Sequence, residues 1–543
     1  MSKKFIIRDP FALYREGVLK SRGYAAWMSN IYVAAAVSDV LKPCFGPKGM
    51  SKLVIDKFSE GVVTSHGAEI LEKLDLHHPV AKLLREASKT VDITVGDGTK
   101  TTVILIGELL KKAANLATRQ LKINTIIKGY LIAYNTALKS LPKSSKALNG
   151  LDSNSIRGFV STILTGRGLG NADYLSELVT QAITAAIRKD DGKRVLDRDS
   201  VKIVKKAGGS IMESRVVNGV IIEKGVAHPA MPRVIKNPKI AVLNMALKID
   251  EFKHLQSFKY HIDINKPGSV GQFLREEEEL VQSMVEKVLS VGASVVICRK
   301  KMGDIAKQLL AKAGVMGISR LLNEKEFTSV AKITGAKIVS SVEDITEEDL
   351  GRADLIREER IGTERVLVIE GCNSAGGVTV LLRGFSENVL NDIEHAFKDS
   401  ITYISSSLEG PAYLPGGGAV EETLAIAIRR EALGHVGKEQ EAIMAYADAL
   451  EAVPRLLAEN SGHDPVEVLS ELRAKHEIGE NNYGFDPLSG KVCDTLKSGI
   501  VESYRMKEQV LKTTFETAVM LLRVDELVDR RYAKRHEGEL GGE

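Results

Sequence analysis

The chain has 543 residues, 44% hydrophobic and 27% charged, with a net charge of +4. That length exceeds one compact core and predicts about two to four domains, and the near-balanced charge gives no electrostatic reason to expect a nucleic-acid partner. Four widely spaced cysteines (Cys44, Cys298, Cys372, Cys493) and 11 scattered histidines argue against a disulfide scaffold or zinc site and fit a reducing cytoplasm. No apolar run reaches membrane-spanning length, and the start, MSKKFIIRDPFALYREG, lacks the apolar stretch of a secretory signal. A soluble cytoplasmic multidomain protein without integral membrane association is expected.

From about Gly23 to Leu141 the pattern is helical, as in AAWMSNIYVAAAVSDVLK and HPVAKLLREASKTV, broken by glycine-rich turns. The first turn, CFGPKGMSKLVID (Cys44 to Asp56), places Gly46, Pro47 and Gly49 around Lys48. The second, VGDGTKTTVILIGELL (Val95 to Leu110), flanks Asp97 with Gly96 and Gly98 and runs through Thr99, Lys100 and Thr101 into an apolar helix. Glycines permit close backbone approach, the opening amides of a helix favour an anion, and Asp97 can hold a divalent cation that bridges it. Taken alone, the turn is equally a plain loop with an N-cap.

From about Val201 to Ser341 short β-branched runs (SVVICRK, GISRLL, AKIVSS) alternate with helical ones (GDIAKQLLAKAG, EKEFTSVAKITG), which reads as an α/β layer. Inside it, SFKYHIDINKPGSVGQFLREEEELVQSMVEKVLS begins extended and breaks at Lys266-Pro267-Gly268. It continues as a helix with Val270, Phe273, Leu274, Leu280, Val281, Met284 and Val288 near one face, and with an acidic run from Glu276 to Glu279. Two readings stand: an ordinary helix with a solvated charged face, or a protruding arm whose apolar side meets partners or client chains.

From about Asn388 to Val528 the pattern is helical again. LPGGGAVEE (Leu414 to Glu422) puts three glycines before a helical run, NNYGFDPLSGKV (Asn481 to Val492) adds a polar turn, and SGIVESYRMKEQVL supplies Glu502, an acceptor suited to ribose hydroxyls. None of these is a Walker A, a Rossmann fingerprint or a kinase signature. Phosphate-type turns spread over both helical blocks point to a nucleotide enclosed by the two together. An α/β insert between them predicts a discontinuous domain in which the ends of the chain pack together. The tail, KRHEGELGGE, is polar and expected to be disordered.

The set GPKGMSKLVID, GAEILEKLDLHHPVAKLL, VGDGTKTTVILIGELL, LPGGGAVEE and SYRMKEQVLKTTFETAVMLLRVDEL resembles the group II chaperonins, the archaeal thermosomes and the eukaryotic cytosolic chaperonin. The likeness extends through GVAHPAMPRVIKNPKIAVLN, EGCNSAGGVTVLLRG and LEAVPRLLAENSGHDPVEVLSELRA, so it covers nearly the whole chain in order; a diverged archaeal subunit is expected. It implies a multidomain fold. A mainly α-helical equatorial ATP-binding domain would take 1–150 and 402–543, and a small α+β intermediate domain 151–220 and 370–401. An α/β apical client-binding domain would take 221–369, its helical protrusion at about 252–288 serving as a lid. Family members stack as two back-to-back rings, so the implied partners are further copies or paralogous chaperonin subunits, and unfolded client proteins. The implied cofactors are ATP and Mg.

Carried over residue by residue, the resemblance makes Asp97 the magnesium ligand and Gly98, Thr99 and Thr101 the phosphate cradle. Gly46 and Pro47 match the first glycine-rich turn, Gly417 the second, Glu502 the carboxylate at the ribose, and Asp399, in EHAFKDSITYI, the aspartate that orients the attacking water. Three departures stand out. Ser65-His66-Gly67-Ala68 replaces the usual Asn-Asp-Gly-Ala, so His66 supplies no fixed negative charge near the water. Gly166-Arg167-Gly168 replaces Gly-Lys-Gly, keeping the charge of the γ-phosphate sensor in a planar, longer donor. Lys100 replaces a threonine and adds positive charge beside the triphosphate. Together they imply strong ATP binding with slow hydrolysis, catalysed by Asp399 with His66; the alternative is a structural ring or filament subunit that binds nucleotide without significant hydrolysis.

Overall fold

The computed structural model describes residues 19–55, 61–147, 153–167, 171–190, 193–248, 269–372, 377–408 and 412–529. The chain forms two compact units, one discontinuous (1–172 with 402–543) and one continuous (173–401).

The discontinuous unit is built of helices around Thr99–Thr118. Val103, Ile104, Leu105, Ile106, Leu109 and Leu110 are all buried, so this helix is apolar on every side and forms the axis of a core. The helices Gly23–Leu41, Lys438–Leu450 and Tyr504–Leu522 pack around it. Gly107 sets the closest approach: a Cβ there would lie 2.4 Å from Ser38 Cβ on the Gly23–Leu41 helix. The ends of the chain meet as expected, Leu19–Arg22 pairing antiparallel with Glu526–Asp529. A hairpin of Lys52–Ile55 and Gly61–Thr64 leaves Leu53, Ile55 and Val63 exposed, with Met50 beside it.

Two small β elements position the later turns of this unit. Ala412–Pro415 pairs antiparallel with Val501–Ser503, setting Leu414 opposite Glu502, and its other edge pairs with Lys146–Ala147. The hairpin Tyr483–Asp486/Lys491–Asp494 is joined to the glycine turn by the Phe485 N–H, which donates to the Gly417 carbonyl at 2.9 Å.

The continuous unit contains the expected α/β layer. Strands Met316–Ile318, Val295–Cys298, Lys239–Leu243 and Ile338–Val339 run parallel in that order, and Gly351–Arg352 adds antiparallel to the Lys239 strand. Residue alternation divides the faces. Ala241, Leu243, Val296 and Cys298 pack under the helices Ser269–Ser290 and Asp304–Lys312. Ile240, Val242, Val295 and Ile297 face Phe327 and Val330 of Glu324–Thr334, together with Ile356 and Leu367 of a second, antiparallel sheet. Glu324–Thr334 is capped by the Asn323 side chain at its start and by left-handed Gly335 at its end. A third sheet joins Val201–Ala207, Val378–Gly384 and Arg215–Val217.

The helix Ser269–Ser290 corrects part of the arm reading. Val281, Val285 and Val288 are buried in the α/β core, while Leu280 is exposed, so the second half of this helix spends its apolar face on its own domain. Residues 252–268, including the Lys-Pro-Gly break, lie outside the described residues.

A buried charge cluster in the helical unit generates a pH prediction. Glu451, itself buried, takes hydrogen bonds from Arg429 (Nη1 to Oε1) at 2.5 Å and from Arg473 (Nη2 to Oε2) at 2.6 Å. Glu422 beside them is fully buried, and neither carboxyl oxygen has a hydrogen-bond partner among the described residues. Burial, with Glu451 reinforcing it, pushes the Glu422 carboxyl from 4.5 up to about 7 against the pull of the two arginines. The folded chain therefore keeps a proton that the unfolded chain releases, and stability falls as pH rises through that window. Glu422→Gln removes this dependence. Thermal unfolding from pH 5 to pH 8 should show the variant gaining on the wild type as pH rises, by at most about 3 kcal/mol; a gap that does not widen would refute the buried-charge account.

Candidate functional site

A cavity of about 310 Å³ opens within the helical unit. Its walls come from segments far apart in the chain, and each is there for a local reason. The helix Pro79–Val95 ends at Gly96 and the axial helix starts after Gly98, both glycines left-handed (φ 77° and 86°), so the chain reverses within three residues and Asp97 sits at the bend. The Thr102 hydroxyl donates back to the Gly98 carbonyl at 2.9 Å. On the opposite wall the helix Ala419–Ala432 starts after Gly418, again left-handed (φ 80°). A Cβ on Gly417 would lie 2.5 Å from the Phe485 carbonyl oxygen, so only glycine fits against the hairpin there.

Neither Gly98 nor Gly418 offers a side-chain cap. The Ala419 N–H donates to the Gly416 carbonyl at 3.3 Å; the other opening amides of the two helices take no side-chain cap among the described residues, and the positive ends of both dipoles meet one cavity. The Cys44–Pro47 turn closes a third side; Asn460 holds it by donating to the Lys42 and Phe45 carbonyls at 2.8 Å each.

The charges are arranged in two groups. At the Asp97 bend, Lys100 donates from Nζ to the Cys44 carbonyl at 2.8 Å. Burial, then Arg167, draw this lysine down to about 8, with Asp97 and Cys44 pulling the other way. At the far end Lys507, buried, pairs with Glu421 and, at 2.5 Å, with Glu502. Burial pushes the Glu502 carboxyl up to about 7, Lys507 opposing and Glu421 and Asp97 reinforcing. The buried Tyr403 hydroxyl accepts the Ser503 N–H, fixing the strand that carries Glu502.

His66 enters between these walls at the start of the helix Gly67–Lys73. Its Nε2 lies 3.1 Å from Asp92 Oδ1 and its backbone N–H donates to Thr64 Oγ1 at 3.1 Å. An ionised carboxylate only accepts, so Nε2 carries a proton where it meets Asp92. Ser65 next to it donates to the Arg167 carbonyl at 3.1 Å, drawing that residue to the same wall.

Gly46, Pro47, His66, Asp97, Gly98, Thr99, Lys100, Thr101, Arg167, Gly417 and Glu502, all singled out in the sequence, line this one cavity. Asp399 is buried on the helix Glu387–Leu408 and counts with the continuous unit. Asp92, Glu421 and Lys507 were not singled out. Glu421 and Lys507 stand inside the quoted segments LPGGGAVEE and SGIVESYRMKEQVL, where helical spacing marks them only as charged helix residues. Asp92 meets a partner 26 residues away, which no local pattern signals.

The donor set fits a nucleotide with a hard cation. Two uncapped helix starts, an ammonium and a guanidinium suit phosphate oxygens, Asp97 is an oxygen ligand of the kind magnesium takes, and Glu502 stands at the other end with acceptor oxygens.

The TCP-1/cpn60 chaperonin family profile matches residues 37–531. Thermosome subunit alpha of Archaeoglobus fulgidus is 38% identical over 98% of this chain and 98% of its own length. The thermosome subunit of Methanopyrus kandleri is 39% identical over 95% and 94%, and that of Pyrococcus horikoshii 37% over 98% and 97%. Matched almost end to end in this way, the chain belongs to the TCP-1/cpn60 chaperonin family, on its group II branch.

Proposed function

We propose that the chain is a chaperonin subunit that binds magnesium and ATP in the cavity of its helical unit, assembles into a double ring and encloses unfolded proteins to assist their folding. The observation that carries the nucleotide reading is the meeting of two helix starts, each capped by a left-handed glycine without a side chain, at one cavity that also holds Asp97. In this reading the discontinuous unit is the equatorial ATP-binding domain. The continuous unit supplies the intermediate hinge, with Asp399, and the apical client-binding domain. A purely structural ring subunit is the less favoured reading, because Asp97, two glycine-led helix starts, Lys100 and Arg167 line one cavity.

When bound, magnesium would sit on Asp97 and draw charge from the phosphates, which is the chemistry it contributes. The remaining work falls to the chain. The amides after Gly98 and Gly418 bind phosphate oxygens, Lys100 and Arg167 neutralise them, Glu502 orients the ribose, and Asp399 orients the attacking water. His66 supplies no fixed negative charge beside that water, unlike an aspartate, and its Nε2 is taken up by Asp92. Hydrolysis is therefore slow.

Two measurements test this. His66→Asp should raise steady-state phosphate release at saturating Mg-ATP by about one to two decades, the lower part of the range for a positioned proton acceptor, and Asp399→Ala in that background should abolish the gain. A His66→Asp variant no faster than wild type shows that the histidine is not the brake. For assembly, the exposed apolar hairpin at Leu53, Ile55 and Val63 is a surface suited to burial against another subunit. Mass photometry with Mg-ATP, alone and with paralogous subunits, should show particles near about a megadalton, as double rings of a 59.1 kDa chain require. Monomers throughout would sink the ring reading.

A further inference from the structure

The turn that closes the third side of the cavity has every carbonyl from Lys42 to Gly46 taken by a donor of the protein. The Lys42 carbonyl accepts the Phe45 N–H at 3.1 Å, the Pro43 carbonyl the Met50 N–H at 2.8 Å, and the Gly46 carbonyl the Gly49 N–H at 3.0 Å. The Cys44 carbonyl accepts from Lys100 Nζ at 2.8 Å. Phe45, and Lys42 a second time, are held from outside the turn, where Asn460 Nδ2 donates to both carbonyls at 2.8 Å each. The nitrogen of a carboxamide carries two hydrogens and its oxygen none, so two carbonyl partners fix which end of the side chain points here.

The other side of the turn is bare. The Gly46 N–H meets no protein acceptor among the described residues, Pro47 has no N–H to offer, and both residues line the cavity. Gly46 is left-handed (φ 81°), and a Cβ there would lie 2.6 Å from Leu457 Cδ2. Leu457 lies one turn before Asn460 on the helix Ala452–Asn460. That helix therefore grips the turn twice, by apolar contact at Gly46 and by hydrogen bonds at Phe45 and Lys42. A peptide plane that turned over here would aim the negative end of its dipole at a ligand anion and withdraw the N–H that suits it.

We propose that Asn460 is a positioning residue for the phosphates: by holding the Lys42 and Phe45 carbonyls it leaves the Gly46 amide as the group this turn presents to a polyanion. The proposal rests on the nucleotide reading of the cavity and adds a residue from outside the glycine-rich turns. Asn460 does not itself line the cavity, so its effect on a ligand passes through the peptide planes it holds.

The test is competition by ATP, ADP and AMP, each in excess magnesium, against a fluorescent ADP analogue on the assembled protein. It compares wild type with Asn460→Ala and the isosteric Asn460→Asp, with thermal unfolding confirming that each variant is folded. Both variants should lose about five- to a hundredfold in affinity for ATP and ADP, the range for two hydrogen bonds, and less than about threefold for AMP. An equal loss for all three nucleotides overturns the proposal, because Asn460 would then brace the wall without regard to phosphate. Unchanged affinity in both variants overturns it as well. Where neither variant folds, Asn460→Ser keeps one donor and should show the same order of losses at smaller size; equal losses there also count against the proposal. Wild type that binds neither the analogue nor any of the three nucleotides overturns the nucleotide reading itself, and this inference with it.

Discussion

The helices Thr99–Thr118 and Ala419–Ala432 both begin after glycines that offer no side-chain cap, and most of the helical unit is arranged so that they can. Gly98 and Gly418 both adopt a left-handed conformation, which places the first amides of Thr99–Thr118 and Ala419–Ala432 toward a common space. Uncapped starts are unfavourable in isolation. They persist because each helix is locked elsewhere: the first by apolar burial along its length, the second by the strand pairing of Ala412–Pro415 and the bond from Phe485 to Gly417. The cavity is therefore a by-product of rigid neighbours rather than of a flexible loop.

The interior of this unit is also unusually rich in ionisable groups. Lys507 joins Glu421 and Glu502, tying the Ala419–Ala432 helix and the Val501–Ser503 strand to the helix Tyr504–Leu522. Buried ion pairs are poor sources of net stability, since desolvation offsets much of the attraction, but they are specific about geometry. Here the geometry is that of the cavity's far wall, which suggests why apolar residues do not take their place. Glu422 and the Glu451 pair with Arg429 and Arg473 extend the same pattern along the helix.

Much of this was legible in the sequence because it depends on local chemistry. Glycines in VGDGT and PGGGA demand positive φ, β-branched runs mark the strands at Val295–Cys298 and Met316–Ile318, and helical spacing marks the long helices. What was not legible depends on distant partners. The pairing of His66 with Asp92 turns a substituted residue into half of a dyad, and the bond from Lys100 to the Cys44 carbonyl turns an added charge into a fixed one. Likewise the apolar stripe through Val281 and Val288 reads the same whether it meets a client or its own sheet; only the sheet's position decides.

The pairing of Leu19–Arg22 with Glu526–Asp529 has a consequence for synthesis on the ribosome. The continuous unit, 173–401, has all its strands once its last residue emerges, so it can close while translation continues. The discontinuous unit cannot. Its opening helices leave the exit tunnel with apolar faces whose partners, in Lys438–Leu450 and Tyr504–Leu522, are still untranslated. At ordinary elongation rates of about 5–20 residues per second, that wait lasts roughly 20 to 80 s. A nascent chain of this protein thus spends its first minute in the condition its own family exists to relieve.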